Sequence, residues 1–93
     1  TDEHGQKIER AAKAVNKTPQ AFTDLISHEF RETWNTRGLA VDRQKRTTDP
    51  SHHKVVQELF LRCKERGYVY KGSYTGAYCV SDELYANEAK PGE

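Results

Sequence analysis

Asp2, Glu3 and His4 stand in a row directly before Gly5, and the residues after them, from Gln6 to Val15, carry a helical pattern. Two carboxylates and an imidazole offer anionic acceptors and a titratable nitrogen within a few residues. Open α/β folds hold substrates with polar groups placed where a loop runs into a helix. The same residues also have a plainer reading, as acidic charge favoured by the positive end of a helix dipole. The motif begins the chain with no methionine before it, which suggests a piece of a larger protein.

Other groups that can do chemistry are scattered. His52 and His53 are adjacent, and neighbours on a helix point about 100° apart, so they chelate poorly together. A surface or first-turn packing role suits them better. His28 has no ligand at helical spacing and reads as structural. A small metallohydrolase using Glu3, His4 and His53 is still a reading that the residue types allow. Two cysteines, Cys63 and Cys79, are too few for a disulfide framework and fit a reducing compartment. Cys63 falls on an apolar helical face and reads as a small buried hydrophobe. Tyr68, Tyr70, Tyr74 and Tyr78 can stack on RNA bases, but in a β-ribbon they more often pack across strands.

The elements that must position these groups are marked by period and punctuation. Ile8, Ala11, Ala12 and Val15 form one apolar helical stripe, ended by Asn16 and Lys17. Thr18-Pro19 is a cap followed by a proline at the first helical position. Phe22, Leu25, Ile26, Phe30 and Trp34 continue a second stripe, with Trp34 expected in the core and Gly38 as terminator. A short extended segment is expected over 44–47. Asp49-Pro50 repeats the start signal, Val55, Val56, Leu59, Phe60 and Cys63 make a third stripe, and Gly67 closes it. From Tyr68 the period shifts to two, as in a strand, with Gly72 and Gly76 as bends or bulges. The tail from Glu88, containing Pro91-Gly92, reads as a loop.

Length and composition set limits. Ninety-three residues make at most one small domain. With 34% hydrophobic residues and a mean hydropathy of −0.98, the supply of core is poor. Fifteen basic residues balance fourteen acidic ones, which gives no electrostatic case for nonspecific nucleic-acid or membrane binding. No apolar run approaches the roughly 18 residues of a membrane span. The element order is half of a βα-type unit followed by an antiparallel excursion, and a parallel sheet needs partner strands from elsewhere.

Several stretches in register resemble one family. Thr1-Asp2-Glu3-His4-Gly5-Gln6-Lys7-Ile8, Thr18-Pro19-Gln20-Ala21-Phe22, Arg46-Thr47-Thr48-Asp49-Pro50 with His53, and Tyr70-Lys71-Gly72-Ser73-Tyr74-Thr75-Gly76-Ala77-Tyr78-Cys79-Val80-Ser81-Asp82-Glu83 are similar in order and spacing to a segment of the methionyl-tRNA synthetases, which are class I aminoacyl-tRNA synthetases. The resemblance implies an α/β fold. Residues 1–67 would be a mostly helical part of a Rossmann-type catalytic domain, and residues 68–93 the start of the antiparallel β-ribbon of the connective-peptide insertion. It implies a ligase that activates methionine with ATP and Mg2+ to methionyl-adenylate and passes the aminoacyl group to tRNA. Asp2 would hold the α-amino group of methionine, by a charge-assisted hydrogen bond, and His4 and Gly5 would line the neighbouring wall. Glu3 is expected toward solvent. The complete enzyme's partners would be methionine, ATP, its tRNA and the rest of its own chain, in the cytoplasm or an organellar matrix.

The sequence departs from the family pattern in two respects. The His-Ile-Gly-His-like and Lys-Met-Ser-Lys-Ser-like ATP motifs are absent from these residues, so the isolated chain is expected to be inactive and, lacking strands to cover its helices, marginally stable. The zinc knuckle of many members begins with Cys-x-x-Cys, but here Cys79 is followed at the matching position by Asp82, so no zinc is expected in this segment. The competing reading from another class is an independent RNA-binding or protein-interaction module, resting on the tyrosine ribbon with Lys64, Arg66 and Lys71 nearby.

Overall fold

The computed structural model describes residues 1–86. They form three helices, α1 (Gln6–Ala14), α2 (Pro19–Thr36) and α3 (Pro50–Glu65), followed by a hairpin of β1 (Ala77–Cys79) and β2 (Leu84–Ala86). The expected loop from Glu88 lies outside the described residues.

The helix boundaries follow local chemistry. Thr18 Oγ1 accepts a hydrogen bond from the Ala21 N–H at 3.2 Å, and Pro19 opens α2 where no N–H is needed. Asp49 precedes Pro50 in the same way, but its carboxylate turns back to accept the Arg46 N–H at 3.1 Å instead of capping α3. All three helices stop by one device. Asn16, Gly38 and Gly67 take positive φ, and the next N–H in each case reaches back five residues, to the carbonyls of Ala12, Trp34 and Cys63.

The packing is thin. α1 packs on α2, and α3 packs on no other described helix or strand. Ala12 is the only fully buried apolar residue among those described. The buried positions of α2 are Thr23 and Ser27, one turn apart. The Thr23 hydroxyl donates to the Gln20 carbonyl at 3.0 Å, and the Ser27 hydroxyl accepts from the Gln44 amide at 3.0 Å. The third stripe is open to solvent, with Leu59 63% exposed and Val55, Val56 and Phe60 also exposed. Apolar faces of this size bury against something in a stable domain, at about 25 cal/mol for each Å² removed from water.

Three expectations change. The segment 44–47 is not a strand. It runs beside the opening residues, where the Thr47 N–H donates to the Thr1 carbonyl at 3.1 Å and the Thr1 amino group donates to the Lys45 carbonyl. The next N–H, that of Glu3, goes to the Thr47 hydroxyl at 2.9 Å instead of a carbonyl, so the backbone pairing goes no further. Trp34 is half-buried instead of central, stacked obliquely near Phe30 with ring centroids 6.1 Å apart. Cys63 is half-buried, because no described element covers α3.

The ribbon is shorter than the tyrosine alternation suggests. Ala77 pairs with Ala86, Tyr78 with Tyr85 and Cys79 with Leu84, antiparallel, around a turn over 80–83 with Glu83 at φ +57°. Residues 68–76 are not in a strand. Tyr85 is packed from two sides, by Tyr78 across the strand pair (centroids 5.1 Å apart) and by Tyr74 (4.9 Å), both edge to face. Tyr70 is 90% exposed and joins no such pair.

Candidate substrate site at the opening motif

The segment 1–5 is tied to 45–47 through Thr1, Glu3 and His4, with Asp2 left free of such bonds among the described residues. Its exposure alternates as in an extended chain: Asp2 and His4 are exposed and Glu3 between them is buried. Glu3 was expected toward solvent, and this expectation is corrected, because its side chain is 4% exposed and ion-paired. Burying a carboxylate without a partner is costly, so a buried glutamate needs a cation and further donors.

Arg46 supplies the cation. Its Nε donates to Glu3 Oε1 at 2.8 Å and to Oε2 at 3.1 Å, and its Nη2 lies 2.7 Å from Oε1. The Thr1 hydroxyl donates to Oε2 at 3.1 Å, and the Thr48 hydroxyl lies 3.4 Å from both carboxylate oxygens. Arg46 Nη2 also reaches Asp24 Oδ1 on α2 at 2.6 Å, and Gln20 donates to the same oxygen at 2.9 Å. The rigid planar guanidinium lets one side chain grip both oxygens of Glu3 and still reach Asp24. Hydrogen bonds to Glu3 and then Asp24 hold the Arg46 pKa above its ordinary range. Those from Arg46 and then Gln20 hold the Asp24 carboxyl below its own.

Of the residues singled out in the sequence, Asp2, His4 and Gly5 come together because they share this strapped segment. Asp2 makes no hydrogen bond or ion pair with the described residues. It borders a small apolar recess of about 50 Å³ together with Ile8, Phe22, Ile26 and Phe30. His4 Nε2 lies 3.3 Å from the Thr47 carbonyl, which accepts from it in the tautomer that carries the proton there. Its ring lies 6.1 Å from that of His53, which is thereby drawn to the site from the first turn of α3. Gly5 sits at φ +134°, in a region L side chains rarely adopt, and a Cβ there would lie 3.3 Å from Glu83 Oε1. Lys7 stands 4.0 Å from the same oxygen, so the hairpin turn touches the start of α1.

Arg46 and Asp24 were not singled out for a role by the sequence. Arg46 lies 43 residues from Glu3, and no local pattern joins them. The usable signal was that Arg46-Thr47-Thr48 falls in a stretch matched in register with the opening motif.

The metallohydrolase reading loses its carboxylate, since Glu3 is occupied by Arg46. Among the described residues no group of three or more His, Cys, Asp or Glu side chains is assembled to hold a metal ion. At the hairpin, the Cys79 thiol donates to Asp82 Oδ2 at 3.4 Å across the turn. One thiolate and one carboxylate leave a tetrahedral zinc two ligands short. The chain is expected to hold no stoichiometric zinc. Elemental analysis after dialysis against a mild chelator checks this, and one zinc per chain would contradict it.

With the strapped loop, helix start and hairpin turn in place, the family follows. The chain belongs to the class I tRNA synthetases: residues 1–91 match the family model described as tRNA synthetases class I (M). Its relatives within that class include methionine–tRNA ligases. The chain is 43% identical over 90 residues to the methionine–tRNA ligase of Campylobacter jejuni, and 48% identical over 90 residues to that of Helicobacter pylori strain 26695. Each match covers 97% of this chain and 14% of the relative. It is 39% identical over 93 residues to the mitochondrial methionine–tRNA ligase of Xenopus laevis, covering 100% of this chain and 16% of that protein. The chain thus corresponds to a segment of about one seventh of the length of the bacterial relatives.

Proposed function

We propose that this chain forms one wall of the methionine pocket in a methionine–tRNA ligase, with Asp2 holding the substrate's α-ammonium and His4 and Gly5 lining the adjoining surface. The observation that carries this is the state of Asp2. Its carboxylate is exposed and unpaired among the described residues, while the residues on either side are tied to 45–48. An anion held ready in this way is the natural partner of an ammonium. Residues 1–67 belong to a Rossmann-type catalytic domain in this reading, and residues 68–93 begin the connective-peptide ribbon. The complete ligase uses ATP with Mg2+ to form methionyl-adenylate and transfers the aminoacyl group to tRNA, in the cytoplasm or an organellar matrix. Relatives of both mitochondrial and bacterial origin fit either place. No described helix is long and apolar enough to cross a membrane.

The readout that tests the role of Asp2 is methionine-dependent adenylate formation by a complete ligase in which Asp2 is altered. The division of labour has a test of its own. The purified 93-residue chain is expected to give no ATP–pyrophosphate exchange above a blank, because the donors that stabilise charge on the transferring phosphate are not in its sequence. It is also expected to melt without a sharp transition and to bind a hydrophobic dye, given the uncovered face of α3. Exchange from an uncontaminated preparation would move the chemistry into this segment.

A further inference from the structure

We propose that Arg46 is a positioning residue for methionine: by clamping Glu3 to Asp24 it fixes the backbone on both sides of Asp2 and so aims the Asp2 carboxylate. This rests on the reading of Asp2 given above and names what holds that residue in place.

The geometry converges on the clamp from three places in the chain. Glu3 comes from the opening segment, Arg46 from the stretch before α3, and Asp24 from α2. Asp2 has no described partner of its own, so its position is set by its neighbours. Glu3 on one side is gripped at both carboxylate oxygens by Arg46 and at its N–H by Thr47. Thr1 on the other side is bonded through its carbonyl to the Thr47 N–H. Thr47 directly follows Arg46, so the guanidinium and the backbone strap are one unit. Asp24 sits on the helix that supplies Phe22, Ile26 and Phe30 to the recess beside Asp2. The clamp therefore ties the carboxylate's segment to the apolar wall it faces. A binding group needs such support, because a shift of an ångström is enough to lose most of its effect.

Arg46 touches no substrate in this account, so its loss acts through Asp2 and has a particular signature. In a complete ligase of this family carrying this segment, Arg46→Lys keeps the charge but loses the rigid planar fork that grips both oxygens of Glu3 while reaching Asp24. Without the Nε contact to both Glu3 oxygens it is expected to raise KM for methionine roughly tenfold, with KM for ATP and kcat within about twofold. Asp24→Asn, at an exposed position, keeps the shape and is expected to raise KM for methionine roughly threefold. The Asp2→Asn protein is the reference. If Arg46 works by aiming Asp2, adding Arg46→Lys to Asp2→Asn changes methionine kinetics little further, whereas a merely structural role multiplies the two losses. Methionine KM within twofold of wild type in both Arg46→Lys and Asp24→Asn overturns the proposal, as does a multiplicative double mutant or an equal rise in KM for ATP. Failure of Arg46→Lys to fold, with Asp24→Asn folded and unchanged in KM, also overturns it. If Asp2→Asn itself leaves methionine use intact, the substrate role of Asp2 falls and this inference with it. If Asp2→Asn is impaired and the Arg46 and Asp24 variants are not, only the clamp's role falls.

Discussion

Replacing Glu3 by Gln in a complete ligase is expected to loosen the opening segment by about 2 kcal/mol, seen as a roughly 30-fold rise in amide exchange over 1–5 and 45–49. Glutamine preserves the shape of the side chain. It keeps one acceptor oxygen for Arg46 but turns an NH2 group toward the other donors, where Glu3 now takes the Arg46 Nε, the Thr1 hydroxyl and the Thr48 hydroxyl. Breaking a fully buried ion pair costs about 3–5 kcal/mol. The figure here is lower because Arg46 is 23% exposed and retains Asp24 as a partner. Hydrogen exchange read by mass spectrometry is the suitable measurement, since a multidomain ligase does not melt as a two-state system. Exchange within threefold of wild type over both segments would mean that the Glu3–Arg46 pair contributes less than about 0.7 kcal/mol.

Glu3 also shows where a sequence stops being legible. The helix starts at Thr18-Pro19 and Asp49-Pro50 are local events, as are the stops at Asn16, Gly38 and Gly67, and each could be read from a few adjacent residues. The same holds for the strand pair, in that tyrosine alternation announces extended chain, although alternation does not say which residues find partners. Only Ala77–Cys79 and Leu84–Ala86 do, because a ladder needs a facing strand and residues 68–76 have none among those described. Burial of Glu3 depends on a cation 43 residues away, and no period or spacing joins the two. Trp34 fails for the related reason that an apolar stripe says which face will be covered but not how far the cover extends. α1 has nine residues against eighteen in α2, and the far end of the longer helix is left half-open.

The opening motif was legible in its chemistry and not in its division of labour. Asp2, Glu3 and His4 read alike in sequence, as polar groups before a helix. The structure separates them by alternation, sending Glu3 inward to an arginine and leaving Asp2 and His4 outward. The inward carboxylate is ion-paired with Arg46, and the outward one has no partner among the described residues.

Asp2→Asn in a complete ligase is accordingly expected to cut kcat/KM for methionine on the order of 100-fold while leaving KM for ATP within about twofold. The cause is charge. An ammonium held beside an apolar recess needs an anionic partner, and removing the partner of a fully buried charge costs about 3–5 kcal/mol. Asparagine retains one acceptor, and Asp2 is exposed in this segment, so the lower end of that range governs the fold-change. Glu3→Gln is expected to reduce methionine use by only about tenfold, because it acts through the mobility of the segment and not through the substrate's charge. Adenylate formation followed by pyrophosphate exchange at varied methionine and then varied ATP separates the two substrates. A methionine analogue without the α-amino group sharpens the comparison: it should bind wild type and Asp2→Asn about equally, since the interaction that distinguishes them is gone. If Asp2→Asn were within twofold of wild type for methionine while Glu3→Gln abolished its use, the buried carboxylate would be the one that meets the substrate, and the Glu3–Arg46 pair would have to open for methionine to bind.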